Sequence, residues 1–402
     1  MVELTDRHTA KNISKQFENI LVKWNIPKHK ITAVVTDNGA NMVKAVNDTF
    51  GVYKGLRCFA HSLNLAMTDT FDKCQELKEI IDKVHNVVIF FKSPIAAAEL
   101  KKVQNSDEVL RLIQNVPTRW NSKFYMLERF LRMLDSIVTA LVKCDKANLL
   151  LSASDVTILR EVVELLRPAE NVTKRISGQN YVTSSEMLYH LHYLFTTLSK
   201  LPVTTEITQK VKQKLVQSIS SRFKSIKSHP LVGPAAILDL RMKKKFFLPG
   251  TSYSAMRKKI NDLLSGTEKS KPTNQLKTPI NKNSIDNDLF NYHRQLVKQD
   301  QELHEHSTVE KGDIDLKKFL DQVSLKLKMI QLTIGSKKKN EAPRLSKLSI
   351  KYLSIPATSV PSERLFSSAG QIASAIRNRI SAAHLQQLLF LKSINIEEWK
   401  LD

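Results

Sequence analysis

The sequence predicts an α/β fold in which helices dominate. Three observations carry that expectation. Residues 9–47 alternate a helical pattern, a short β-branched run, a turn and a second helical pattern, the signature of helices packed on a sheet. From about residue 122 to 330, apolar residues recur at helical spacing. Only 10 of the 402 residues are glycine, about a third of ordinary usage, which argues against a small all-β fold.

The first helix is expected over 9–24. Ile13, Phe17, Ile20, Leu21 and Trp24 share one face, Thr9 can cap the start, and Pro27 ends it. Residues 31–35 (ITAVV) are short, apolar and mostly β-branched, and predict a buried strand. Thr36-Asp37-Asn38-Gly39 is a turn signal, and a second helix follows from Ala40 to about Asn47. Residues 60–105 read as helical with a break near Pro94. Residues 110–116 read as a strand stopped by Pro117. A single amphipathic helix is expected over 122–143, with Phe124, Leu127, Leu131, Leu134, Val138 and Leu141 as its apolar stripe. Helical patterns continue over 155–175, 183–200 and 205–228.

Lys and Arg concentrate over 241–282. Within that stretch, 265–288 is rich in Ser, Thr, Asn, Lys and Pro and reads as a flexible basic loop. Lys337-Lys338-Lys339 marks a second hinge. In the last segment Pro343, Pro356 and Pro361 are the punctuation, and helices are expected at 361–372 and 381–393. The final helix carries Leu385, Leu388, Leu389 and Leu391, more leucine than one stripe requires. Such a helix is expected to bury itself against a partner element or a second subunit. No repeat with a period of 20 to 50 residues is present.

Composition excludes several classes. The 62 Lys and Arg against 39 Asp and Glu give a net charge of +23. That balance favours a polyanionic partner, usually nucleic acid; a Lys-rich soluble surface is the plainer account. The closest glycines are Gly51 and Gly55, so no loop here can cradle phosphates in the P-loop or dinucleotide-fold manner. Cys58, Cys74 and Cys144 are too few for a disulfide framework and fit a reducing compartment. The longest purely apolar run, 87–91, is far short of the about 20 residues that span a bilayer. The first six residues carry no secretory signal pattern. The expectation is a soluble, intracellular protein with no membrane partner.

Few side chains point to chemistry. Asp37 lies where a strand gives way to a helix, the place where open α/β sheets put their sites. A carboxylate there can hold a metal; it can equally open the turn through its own side chain. Glu363 falls in the first turn of an expected helix, where it also complements the helix dipole. Cys58 and His61 look like half of a zinc site, but no second pair follows at suitable spacing, so no metal site is expected. His304-Glu305-His306 reads as solvated loop. Arg119 beside Trp120 can grip a phosphate and stack a base; the alternative is a helix-start Trp packed into the core.

Four blocks carry a family resemblance. Residues 352–367 (YLSIPATSVPSERLFS), continuing through Ala369-Gly370, Arg377-Asn378-Arg379 and the Leu-rich helix to Leu391, resemble the C-terminal signature of hAT-superfamily transposases. Residues 35–42 (VTDNGANM) resemble that family's second catalytic block. Residues 57–65 (RCFAHSLNL) resemble its Cys-x-x-His block, and 117–122 (PTRWNS) its Arg-Trp block. Zinc finger BED domain-containing proteins, domesticated descendants of such transposons, share the pattern.

The resemblance implies an incomplete ribonuclease H-like core interrupted by a large all-α insertion domain. Residues 1–121 would be the partial core, 122–342 the insertion, and 343–402 the dimerisation region that completes the core. In active relatives three carboxylates hold two divalent metals for phosphoryl transfer. Asp37 matches the second carboxylate and Glu363 the third. Cys58, His61, Arg119 and Trp120 match positions near the DNA end. Leu365, Phe366, Leu385, Leu388, Leu389 and Leu391 fall in the region matched to dimerisation.

Departures from the family pattern shape the functional expectation. The family's first catalytic Asp lies on a strand upstream of the block at His8-Thr9-Ala10, and this sequence offers no counterpart, nor one for the first core strands or the BED zinc finger. Residues 238–243 (LDLRMK) resemble the family's Leu-Asp-Pro-Arg-Phe-Lys, with Leu240 and Met242 substituted. Leu332-Thr333-Ile334-Gly335 stands near where paired tryptophans belong. The expectation is a non-catalytic, transposase-derived nuclear protein that needs no cofactor, forms a homodimer or higher oligomer, and associates with DNA. One alternative is an active transposase using Asp37, Glu363 and magnesium. The other is a helical protein-interaction scaffold that does not bind DNA.

Overall fold

The protein was analysed as a computed structural model. It describes residues 7–104, 109–178, 184–242, 253–265, 292, 295, 342–373 and 380–393. The basic loop expected at 265–288, His304–His306, the Leu332–Gly335 stretch, Lys337–Lys339 and Arg377–Arg379 lie outside the described residues, apart from Ser265, which ends a helix.

The chain opens with α1 (Ala10–Lys23), whose first turn is capped by the Thr9 hydroxyl accepting from the Asn12 amide at 3.3 Å. β1 (Val34–Thr36), α2 (Ala40–Phe50) and β2 (Gly55–Arg57) form a β-α-β unit. The two strands run parallel, with Val34 opposite Gly55, Val35 opposite Leu56 and Thr36 opposite Arg57. Gly51 ends α2 at φ +90°, a conformation that glycine adopts at least cost. α1 lies on α2 through Ala10, Ile13 and Ala45, with Phe17 edge-on to Phe50 at 5.4 Å. The strand is shorter and less buried than the 31–35 run predicts. Lys28–Lys30 form a 3₁₀ turn that the Ile31 amide closes, so pairing starts only at Val34, and all three strand residues stay half-buried.

Helices follow without further strands among the described residues: α3 (Phe59–Asp72), α4 (Gln75–Phe90), α5 (Pro94–Lys102), α6 (Trp120–Arg132) and α7 (Leu134–Lys143). Pro94 does not break a helix but begins one, with the Ser93 hydroxyl accepting from the Ala96 amide. The strand expected at 110–116 does not form. The Gln104 side chain holds both backbone groups of Leu110, and Arg129 Nη1 donates to the Arg111 carbonyl, so side chains satisfy these groups in place of a neighbouring strand. The single helix expected over 122–143 is two, interrupted at Met133. Beyond the break the buried face is Ile137, Ala140 and Leu141, and Val138 turns outward.

α8 (Ala153–Ile176) begins with a reciprocal Ser152–Asp155 capping box. α9 (Met187–Lys200), α10 (Glu206–Arg222), α11 (Val232–Leu238) and α12 (Tyr253–Ser265) complete the central bundle, in which α3 packs on α10, α6 on α8 and α8 on α9. The last segment contributes α13 (Pro343–Leu353), α14 (Val360–Ile372) and α15 (Ala382–Ser393). The sequence reading did not anticipate α13, which docks on α11 and α12. One apolar core runs from Leu56 to Ala357 and crosses the boundaries expected near residues 121 and 342.

Candidate functional site

The candidate blocks converge at one residue. The Cys58 amide donates to the Thr36 carbonyl at 2.6 Å, which ties the start of α3 to the end of β1. The Cys58 thiol caps α3 by accepting from the His61 amide at 3.4 Å. The same sulfur accepts from the Ser359 amide at 3.3 Å, and the Phe59 amide donates to the Ala357 carbonyl at 2.9 Å. The segment leading into α14 is thereby fastened across the head of α3. Ser359 Oγ then donates to Glu363 Oε1 at 2.8 Å. Three blocks far apart in sequence, those of Asp37, Cys58 and Glu363, thus meet at this junction. The fourth is attached through Asn64, whose Oδ1 accepts from the Trp120 amide at 3.1 Å.

Asp37 is exposed, and its Oδ1 accepts from the Gly39 amide at 3.1 Å, the turn-opening geometry that its residue type favours. Asn38 reaches inward instead, donating from Nδ2 to Ser62 Oγ at 3.0 Å. Glu363 is exposed in the first turn of α14. Among the described residues no three His, Cys, Asp or Glu side chains lie close enough together to hold a metal ion.

Two of the four residues matched to a DNA end are turned away from solvent. Trp120 is 3% exposed and packs beside Phe124 at 6.4 Å between ring centroids. It begins the buried face of α6, so its indole has no face open for a base. Cys58 is 1% exposed and its sulfur is occupied by backbone amides. Here its sulfur joins elements, and it offers no exposed surface for the nucleic-acid contact expected of it. Arg119 is exposed and His61 half-buried.

Arg241 departs from its basic neighbours. It opens the stretch over which Lys and Arg concentrate, yet it is 1% exposed. Its Nη1 donates to Glu186 Oε1 and its Nη2 to Asp239 Oδ2, both at 2.8 Å. Arg175 grips the same Glu186 from the other side through Nε and Nη2, at 2.9 and 2.8 Å. Burial alone would raise the Glu186 carboxyl, but Arg175 and Arg241 outweigh it and hold it well below the ordinary carboxylate range. The LDLRMK block is thus a structural knot binding α9 to the end of α11.

The α14–α15 pair carries the third set of candidates. Leu365, Phe366, Leu388 and Leu391 are exposed, Phe366 by 55%. Leu385 is half-buried. Leu389 is 5% exposed, so it belongs to the packing of this pair and not to its outer surface. Phe390, which the sequence reading passed over, is 64% exposed beside them. Its place inside the Leu-rich helix was the available signal. Ser62, Asn64 and Ser359 were passed over in the same way, although all three lie inside the quoted motifs.

Comparison with known proteins agrees with these blocks. Residues 56–165 match the ZBED1 RNase-like helical domain, and residues 315–394 match the hAT family C-terminal dimerisation region. The chain is 26% identical to zinc finger BED domain-containing protein 4 of Homo sapiens, over 96% of this chain and 33% of that protein. It is 25% identical to a Zea mays protein bearing the AC transposase name, over 96% of this chain and 51% of the relative. Human zinc finger BED domain-containing protein 6 is 26% identical over 57% of this chain and 24% of its own length. The chain therefore spans between about a quarter and about half of these relatives. It carries the C-terminal dimerisation region of the hAT family together with an RNase-like helical domain of the ZBED1 type, and is a relative of both the BED proteins and the hAT transposases.

Proposed function

We propose that this chain is the self-associating, DNA-associating and non-catalytic part of a transposase-derived nuclear protein. The observation that carries the reading is the apolar surface of α14 and α15. Leu365, Phe366, Leu388, Phe390 and Leu391 are exposed on two packed helices that fall within the matched dimerisation region. Large apolar side chains left exposed on such a pair of helices favour an interface. The +23 charge supports a polyanionic partner and, with it, a place in the nucleus. The parallel β1–β2 pair with α2 between its strands is what a remnant of a ribonuclease H-like core would contribute.

The non-catalytic reading is supported by how the two carboxylates are used. Asp37 serves its turn, and Glu363 takes the Ser359 hydroxyl. Sedimentation velocity at micromolar concentration tests the self-association. The full chain is expected to sediment as a dimer or higher species, and Leu388→Glu/Leu391→Glu as a monomer with an unchanged circular dichroism spectrum. A monomeric parent chain overturns the reading. The same preparation is expected to leave plasmid DNA intact in the presence of magnesium. Strand cleavage that disappears in both Asp37→Asn and Glu363→Gln overturns the non-catalytic part.

A further inference from the structure

We propose that the open cleft between α10 and the ends of β2 and α3 is a track for the phosphate backbone of duplex DNA. The inference rests on the DNA-associating reading above and gives it an address. The cleft has a volume of about 780 Å³, and none of the residues lining it is apolar. Its charged members are Arg57, Lys73, Lys214, Arg222 and Lys224, against the single carboxylate of Asp69. That carboxylate is already committed: Arg222 donates to Asp69 Oδ2 from Nε at 2.9 Å and from Nη2 at 2.6 Å, and Ser218 Oγ lies 3.2 Å away. Lys214 Nζ donates to the Lys73 backbone carbonyl, which fixes this cation at the end of α3. Arg57, Lys73 and Lys224 are exposed, and none of them is paired with a carboxylate among the described residues.

Like charges gathered without counter-charge repel one another until an anion joins them, so the cleft is a local excess of positive potential. A small organic ligand is a poor fit, because such sites are mostly apolar and enclosed. A linear polyanion fits better. From Lys214 to Arg222 along α10 is eight residues, about 12 Å at 1.5 Å per residue. That length matches three or four nucleotide steps at about 3.4 Å each. The Ser221 and Ser225 hydroxyls line the cleft between the cations and can donate to phosphate oxygens. No flat aromatic face is present to stack a base, so contact is with backbone and is insensitive to sequence. Asn38 lines the same cleft, which places its mouth beside the end of β1 and the Asp37 turn.

The test uses the full chain and a short labelled mixed-sequence duplex, titrated by fluorescence anisotropy over a series of salt concentrations. Arg57→Gln/Lys73→Gln/Lys224→Gln removes three charges from the cleft. Lys11→Gln/Lys15→Gln/Lys23→Gln removes three exposed charges from α1, none of which lines the cleft. The parent and the second variant are expected to bind alike. The cleft variant is expected to bind at least about tenfold more weakly, with a log K against log salt slope shallower by about 2.7, which is 0.9 for each lost phosphate contact. Parent-like binding by the cleft variant overturns the cleft assignment and leaves the DNA reading standing. An equal loss in both variants overturns it too, because position then does not matter. A parent chain that does not bind overturns both readings. If thermal unfolding shows the triple cleft variant to be destabilised, Lys224→Gln decides alone: a slope shallower by about 0.9 supports the track, and an unchanged slope overturns it.

Discussion

At the scale of single residues, Arg241 shows most about how this chain is held. Two carboxylates and two guanidiniums share a site from which water is excluded. Removing one partner strands the others, which typically costs about 3–5 kcal/mol. Arg241→Met is therefore expected to lower the thermal midpoint sharply, and a loss below about 1 kcal/mol would show that the knot is dispensable. The acid limb gives a second readout. Glu186 ionises below its ordinary value of 4.5, so the stability it contributes is present above that pH and is lost as pH falls toward the lower folded value. Without Arg241 the folded carboxyl rises, and acid unfolding is expected to begin at a higher pH than in the parent. The Asp239–Arg241 block was visible in the sequence, but its link to Glu186 was not. Arg241 stands close to Lys243-Lys244-Lys245 in a basic run; Asp239 grips it from two positions away, while Glu186, which ties it to α9, lies 55 positions away. Trp120 was ambiguous for a similar reason, since a tryptophan that begins a helix reads the same whether it faces solvent or core.

At the scale of elements, helical periodicity and capping chemistry were legible because both are local. Thr9 and the apolar face of α8 announce themselves within a few residues. What was illegible depends on neighbours. Residues 110–116 have strand-like composition but no strand beside them, and Met133 divides a continuous apolar pattern without a proline or glycine to mark the break. The attachment of the segment before α14 to α3 is equally invisible in sequence, because it joins a sulfur and a backbone amide to positions about 300 residues away. Cys58→Ala removes the acceptor of two amides at once. A buried donor left unsatisfied costs about 1–3 kcal/mol, so this variant is expected to melt several degrees below the parent. Cys58→Ser, whose hydroxyl can still accept, is expected to fall in between. Identical melting of Cys58→Ala and the parent would show that the thiol does not fasten the two helices.

At the scale of the whole molecule, the order of the family blocks was readable but their meeting was not. One core reaches from Leu56 to Ala357, so the stretch that carries α14 and α15 is rooted in the same interior as the bundle. The apolar surface of those helices is thus presented from a fixed base. The position of Cys58 beneath the 357–359 stretch has a practical consequence. An alkylating reagent reaches its sulfur only after that stretch has lifted, so its labelling rate is a clock for detachment of the tail. That rate is expected to be slow, and to slow further when a second copy clamps the tail. Half-buried Cys144 serves as the internal reference for reagent strength.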